Sequence, residues 1–105
     1  MDALSPLEWV EFRRREPGLG LLDVREDHEW SHCNLPGSLH IPLGELVLRC
    51  EELDPERAWV VVCHHGVRSA RAAALLRARG FARVYNLSGG LDRYARDVDP
   101  AFPRY

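Results

Sequence analysis

Cys63 is the residue of this chain whose surroundings could do chemistry. It lies in Val62-Cys63-His64-His65-Gly66-Val67-Arg68-Ser69-Ala70, between the apolar run Trp59-Val60-Val61-Val62 and an alanine-rich stretch that ends at Gly80. The run is continuous and β-branched, so it reads as a central strand covered on both faces. The stretch reads as a helix over 69–79, with Gly80 as its left-handed stop. A thiol at that junction faces the positive end of the helix dipole and the unpartnered backbone N–H groups of the first turn. Gly66 lets the loop bend sharply, and Arg68 adds a charge fixed at every working pH. All of these favour the anionic sulfur, which is the reactive form. An ordinary buried thiol closing a core strand is the plainer reading, and the loop around Cys63 argues against it.

The other residues that could react have weaker surroundings. His64 and His65 follow the thiol directly. Either one is a cation beside the sulfur, or both are loop residues facing solvent. Ser69 can cap the helix and donate to the sulfur. Asp23 and Arg25 close an earlier apolar run and suit an internal ion pair that holds loops together. His32 and His40 read as structural, and His28 as surface. Cys33 and Cys50 fall on helical apolar stripes as buried bystanders. Trp9, Trp30 and Trp59 suit core packing, and Arg13-Arg14-Arg15 a solvated helix end.

Composition removes several classes of function. The 105 residues suffice for one core, 46% of them are apolar, and the formal charge is −2, which leaves no basic footprint for nucleic acid. All fourteen basic residues are arginine, so lysine chemistry is excluded. No apolar run approaches the roughly 20 residues of a membrane span, and the start, MDALSPLEWVEF, lacks the pattern of a signal peptide. Three cysteines without C-x-x-C spacing argue against a disulfide framework and a zinc site. No cofactor, metal, nucleic acid or membrane is expected, and a reducing cytoplasm is the expected setting.

The elements that must position Cys63 follow from pattern. Ser5-Pro6-Leu7-Glu8 is a capping box that opens a helix to about Glu16, with Leu4 and Trp9 placed as a staple. A strand is expected over 19–24, a short helix over 27–33 capped by Asp27, and a strand over 38–41. A helix over 43–53 should carry Leu43, Leu46, Val47 and Cys50 on one stripe. After the strand over 59–62 and the helix over 69–79 come a strand over 83–87, a helix over 91–97 and an extended tail from Asp99 to Tyr105. Alternating strands and helices imply an α/β fold with a mainly parallel sheet and helices on both faces. In such sheets ligands bind beyond the carboxyl ends of the strands, where Cys63 lies.

The segment Cys63-His64-His65-Gly66-Val67-Arg68-Ser69 resembles the active-site loop of the rhodanese family, C-x-x-G-x-R-[ST]. Two flanking segments resemble that family as well. One is Leu22-Asp23-Val24-Arg25-Glu26, followed by His32 and Pro36-Gly37-Ser38-Leu39-His40-Ile41-Pro42. The other is Gly80-Phe81, followed by Val84-Tyr85-Asn86-Leu87-Ser88-Gly89-Gly90. The likeness covers about residues 5–97 of a single domain over 1–105, leaving a tail over 98–105. It implies a five-stranded sheet and a sulfurtransferase in which Cys63 carries sulfur as a persulfide. The donor would be thiosulfate or another persulfide, and the acceptor a thiol, cyanide or a sulfur-carrier protein. His64, His65, Gly66, Val67, Arg68 and Ser69 would bind substrate, with backbone N–H groups around the sulfur and Arg68 on the donor's charge. The alternatives are a relay or partner-binding module in a cofactor or tRNA thiolation pathway, and a Cys-based phosphatase. Against the last, four residues separate Cys63 from Arg68, where the resemblance gives phosphatases five.

Overall fold

Ser5 and Glu8 close the expected capping box: Ser5 Oγ accepts from Glu8 N at 3.1 Å, and Glu8 Oε1 accepts from Ser5 N at 2.8 Å. The helix they open is one of ten strands and α-helices in a computed structural model that describes residues 3–105. In chain order these are β1 (Ala3–Leu4), α1 (Pro6–Arg15), β2 (Gly20–Asp23), α2 (Asp27–His32), β3 (Leu39–His40), α3 (Leu46–Arg49), β4 (Trp59–Val62), α4 (Val67–Ala78), β5 (Val84–Leu87) and α5 (Gly90–Asp97). The strands form one sheet in the order β1-β5-β4-β2-β3, and every pairing is parallel. The fold is therefore α/β with a five-stranded parallel sheet. Four of its strands fall where strands are expected from the sequence; the fifth, Ala3–Leu4, is too short for any pattern and pairs with Asn86 and Leu87 at the sheet edge.

β4 is central, as its unbroken apolar run requires. All four of its residues are buried, and their side chains alternate between two cores. Trp59 and Val61 face the side of α3 and α4, among Leu46, Ala72, Ala73 and Leu76. Val60 and Val62 face the side of α1 and α5, among Trp9, Leu91, Tyr94 and Ala95. The same alternation puts Cys63 on the α4 side, so the chain leaves the sheet with the thiol pointing at the helix that follows.

Three expectations are corrected. The helix over 43–53 is a four-residue α-helix between two 3₁₀ turns, Leu43–Glu45 and Cys50–Glu52. A 3₁₀ turn stacks positions three apart, and the apolar residues here pair at that spacing: Leu43 with Leu46, and Cys50 with Leu53. Val47 is left outside the stripe, 48% exposed. Trp30 is not a core residue either; it is half-buried and stacks on His40, with ring centroids 4.7 Å apart. The tail is not extended: the chain turns after Val98, buries Phe102 in the core beside Tyr94, and brings Tyr105 back over the Cys63 loop.

Candidate active site

Cys63 is wholly buried at the end of β4. Its Sγ accepts from Gly66 N at 3.1 Å and from Ser69 N at 3.4 Å. Two N–H groups converge on one sulfur because Gly66 takes a left-handed conformation, φ +94°, and so folds the loop back under its own start. Gly66 is also the residue that caps α4. The helix thus begins at Val67, two residues before the expected start, and Ser69 is not its cap but part of its first turn, with its N–H aimed at the sulfur.

The loop is held from the opposite side by α5. Leu91 N donates to Cys63 O at 2.8 Å and Asp92 N donates to His64 O at 3.0 Å. This approach demands glycine at position 90: φ is +63°, and a Cβ there would collide with the carbonyl oxygens of Cys63 and His64. With those two carbonyls engaged by the start of α5, the loop's N–H groups are left for the sulfur.

Ser69 and Asn86 complete the lining. Ser69 Oγ lies 3.3 Å from Sγ and donates its hydrogen to Asn86 Oδ1 at 2.5 Å. Asn86 Nδ2 donates to Gly66 O at 3.1 Å, which fixes the amide's orientation. The hydroxyl hydrogen is therefore committed to Asn86, and Ser69 can offer it to the sulfur only by releasing that bond.

Charge at the mouth is arranged in a chain. Arg68 Nη1 and Nη2 donate to the two oxygens of Glu29, Nη1 at 2.5 Å and Nη2 at 2.9 Å. Glu29 Oε1 also accepts from Glu26 N at 3.0 Å, and Oε2 from Tyr105 Oη at 2.9 Å. Tyr105 Oη in turn accepts from Arg25 Nη1 at 2.8 Å, and Arg25 is paired with Asp23, Nη2 to Oδ2, at 2.8 Å. The Arg68 guanidinium holds the Glu29 carboxyl at about 2, far below the usual carboxylate range. Burial pushes the Tyr105 phenol up to about 12, so it remains a hydrogen donor.

Each residue singled out from sequence can now be placed. Gly66 and Ser69 meet at the Cys63 sulfur through their backbone N–H groups. Arg68 stands at the mouth, but both its terminal nitrogens are bound to Glu29. His64 packs its ring 4.0 Å from that of His65 and 4.0 Å from that of Tyr105. Burial and the neighbouring His65 lower its pKa, which disfavours the cation that would sit beside the thiol. His65 and Val67 are exposed at the rim. Asp23 and Arg25 form the expected internal pair. His40 is structural, its Nε2 2.8 Å from Arg25 O, while His32 is exposed and meets the Tyr105 ring edge-on. Cys50 is buried, whereas Cys33 is only half-buried and ends α2, which Glu26 and not Asp27 caps. Among the described residues, His64, His65 and Asp92 have ligand atoms within 4.8 Å of one another, but Asp92 already binds Arg104 through both oxygens. Glu29, Asn86 and Tyr105 escaped sequence reasoning. Glu29 stands three residues after Glu26, a spacing that could have marked the cap but not the arginine.

Comparison with known proteins shows which family the chain resembles. A family described as "Rhodanese-like domain" matches residues 6–97. The chain is 40% identical over 76 residues to the putative sulfur carrier protein YrkF of Bacillus subtilis, covering 72% of this chain and 41% of that one. It is 37% identical over 78 residues to the thiosulfate sulfurtransferase GlpE of Pseudomonas syringae, covering 74% of each. The rhodanese-related protein of Thermoplasma volcanium superposes with a TM-score of 0.82 at 25% identity, over 98% of this chain and 96% of that one. Several relatives are much longer; the chain spans between a fifth and two fifths of their length.

Proposed function

The chain belongs to the rhodanese-like family, and from that premise we propose that it moves sulfane sulfur through a persulfide on Cys63. The observation that carries this reading is the buried Sγ at the end of β4, with the Gly66 and Ser69 N–H groups both directed at it. That arrangement stabilises negative charge on sulfur with N–H groups already in place.

Two displacements at sulfur make the cycle. With thiosulfate, the Cys63 thiolate attacks the outer sulfur, the S–S bond to the sulfonate breaks, and its electron pair leaves on sulfite. Cys63 then holds a persulfide anion, cradled by loop N–H groups. With a persulfide donor, R–S–SH, the same attack forms the Cys63 persulfide and releases R–S⁻. In the second step a thiophilic acceptor attacks the outer sulfur and the electron pair returns to Cys63. A thiol, cyanide or a sulfur-carrier protein are the acceptor classes. His64, His65, Val67, Arg68 and Ser69 form the rim and lining that a donor meets, and each step uses only the chain's own groups and the two reactants. A phosphoryl group has less support. The ring's N–H groups close on a single sulfur at 3.1 and 3.4 Å, and no acid of the loop stands ready to protonate a leaving alcohol.

Intact mass spectrometry tests the reading. After incubation with thiosulfate or glutathione persulfide, the protein should gain one sulfur atom, and dithiothreitol should remove it. Cys63→Ser should gain none, while Cys33→Ala/Cys50→Ala should still gain it. A sulfur gain that survives Cys63→Ser would move the carrier elsewhere.

A further inference from the structure

We propose that Glu29 sets the class of sulfur donor: by pairing with Arg68 it withholds the mouth's cation from thiosulfate and leaves the site suited to persulfides. The inference rests on the sulfur-transfer reading above and adds to it a specificity-determining residue 39 positions from its partner in sequence.

The two donors differ in what must be bound and released. Thiosulfate is a dianion, and the group it loses, sulfite, also carries two negative charges. Binding it next to a thiolate requires a cation that is free to take up a second anion. The reacting –S–SH end of a protonated persulfide is neutral, whatever charges the rest of the molecule carries, and it loses a thiolate of single charge, which can leave as a thiol after taking a proton from water. Only the first donor depends on a guanidinium.

Among the described residues, no such free guanidinium stands at the mouth. Arg68 is bound fork to fork by Glu29, a geometry that satisfies both partners and is among the stronger charged contacts. Glu29 cannot swing away at low cost, because Glu26 N and Tyr105 Oη each donate to it as well, four donors on two oxygens in all. The remaining charges nearby give no substitute. Arg25 is fully buried and paired with Asp23, and Arg104 is paired with Asp92. Burial and the adjacent His65 disfavour the His64 cation. Arg71, one turn further along α4, is exposed to solvent, where salt screens its pull.

The test compares kcat/KM for thiosulfate and for glutathione persulfide in wild type and Glu29→Gln, with a cyanide or thiol acceptor. The amide keeps the size of the side chain but places an NH₂ against the guanidinium, freeing Arg68. The ratio of the two constants should move roughly tenfold towards thiosulfate, through KM more than kcat. In Glu29→Gln/Arg68→Ala the shift should vanish. An unchanged ratio, or a shift that survives in the double variant, overturns the proposal. Should Glu29→Gln fail to fold, wild type still decides: its kcat/KM for thiosulfate should respond weakly to ionic strength and lie well below that for the persulfide. A steep fall with salt, or a preference for thiosulfate, overturns the proposal. If neither donor adds sulfur to Cys63 in any variant, the sulfur-transfer reading itself falls; if both add it and the ratio stays fixed, only the role of Glu29 does.

Discussion

Two arginine–carboxylate pairs stand side by side in this molecule, joined by one phenol, and they differ mainly in their access to water. Arg25 and Asp23 have side chains 0% and 1% exposed; Arg68 and Glu29 have 33% and 9%. Tyr105 Oη takes a hydrogen bond from the first pair and gives one to the second. In the interior, removing one ion strands the other in a medium that cannot solvate it, so the pair acts as a joint between β2, the end of α2 and the tail. At the mouth the same chemistry is partly solvated. Its stability contribution is smaller, and its effect on the charge that an incoming donor meets is larger. The pairs teach that an ion pair's depth decides whether it governs folding or recognition.

The sharpest way to break this comparison is Asp23→Ala. It leaves the Arg25 guanidinium buried without its carboxylate and should cost about 3–5 kcal/mol of unfolding free energy in denaturant titration. A cost near that of an exposed pair, about 1 kcal/mol or less, would erase the distinction.

Acid should act on the mouth through Glu29. Its folded-state pKa of about 2 lies below its ordinary value of 4.5, so the stability it contributes is fully present above 4.5 and is lost as pH falls from there towards 2. The unfolding midpoint of wild type should therefore fall more steeply across that window than that of Glu29→Gln. Parallel curves would mean that Arg68 does not hold the carboxyl in solution.

The smallest expected effect is that of Tyr105→Phe, which keeps the ring over His64 and deletes only the bridge between the pairs. It should cost about 1 kcal/mol of stability, the usual net value of one hydrogen bond. In a double-mutant cycle with Glu29→Gln the two changes should not add, because they share a partner. Full additivity would show that the phenol and the carboxylate act separately.

What the sequence made legible is what is local. The capping box at Ser5, the buried strand over 59–62, the glycines at 66 and 80, and the thiol between strand and helix each depend on neighbours a few residues away. The resemblance supplied the number of strands where Ala3–Leu4 is too short to signal itself. The polar lining was not legible because its partners are far apart in the chain: Glu29 and Arg68 by 39 residues, Asn86 and Ser69 by 17, Tyr105 and Glu29 by 76. No periodicity marks such a contact. Arg68 shows the consequence, since its type and place announce a cation for the substrate, and only the fold reveals the carboxylate already bound to it.

Cys63 has no exposed surface. A reagent in solution cannot touch its sulfur while the loop keeps this arrangement, so every reaction there waits on an opening of the ring. Sulfur bound at Cys63 would be governed less by the strength of its bond than by the frequency of that opening, as a slowly exchanging amide is governed by local unfolding. On the proposed cycle, the same closure that would delay loading would also lengthen the residence of the cargo.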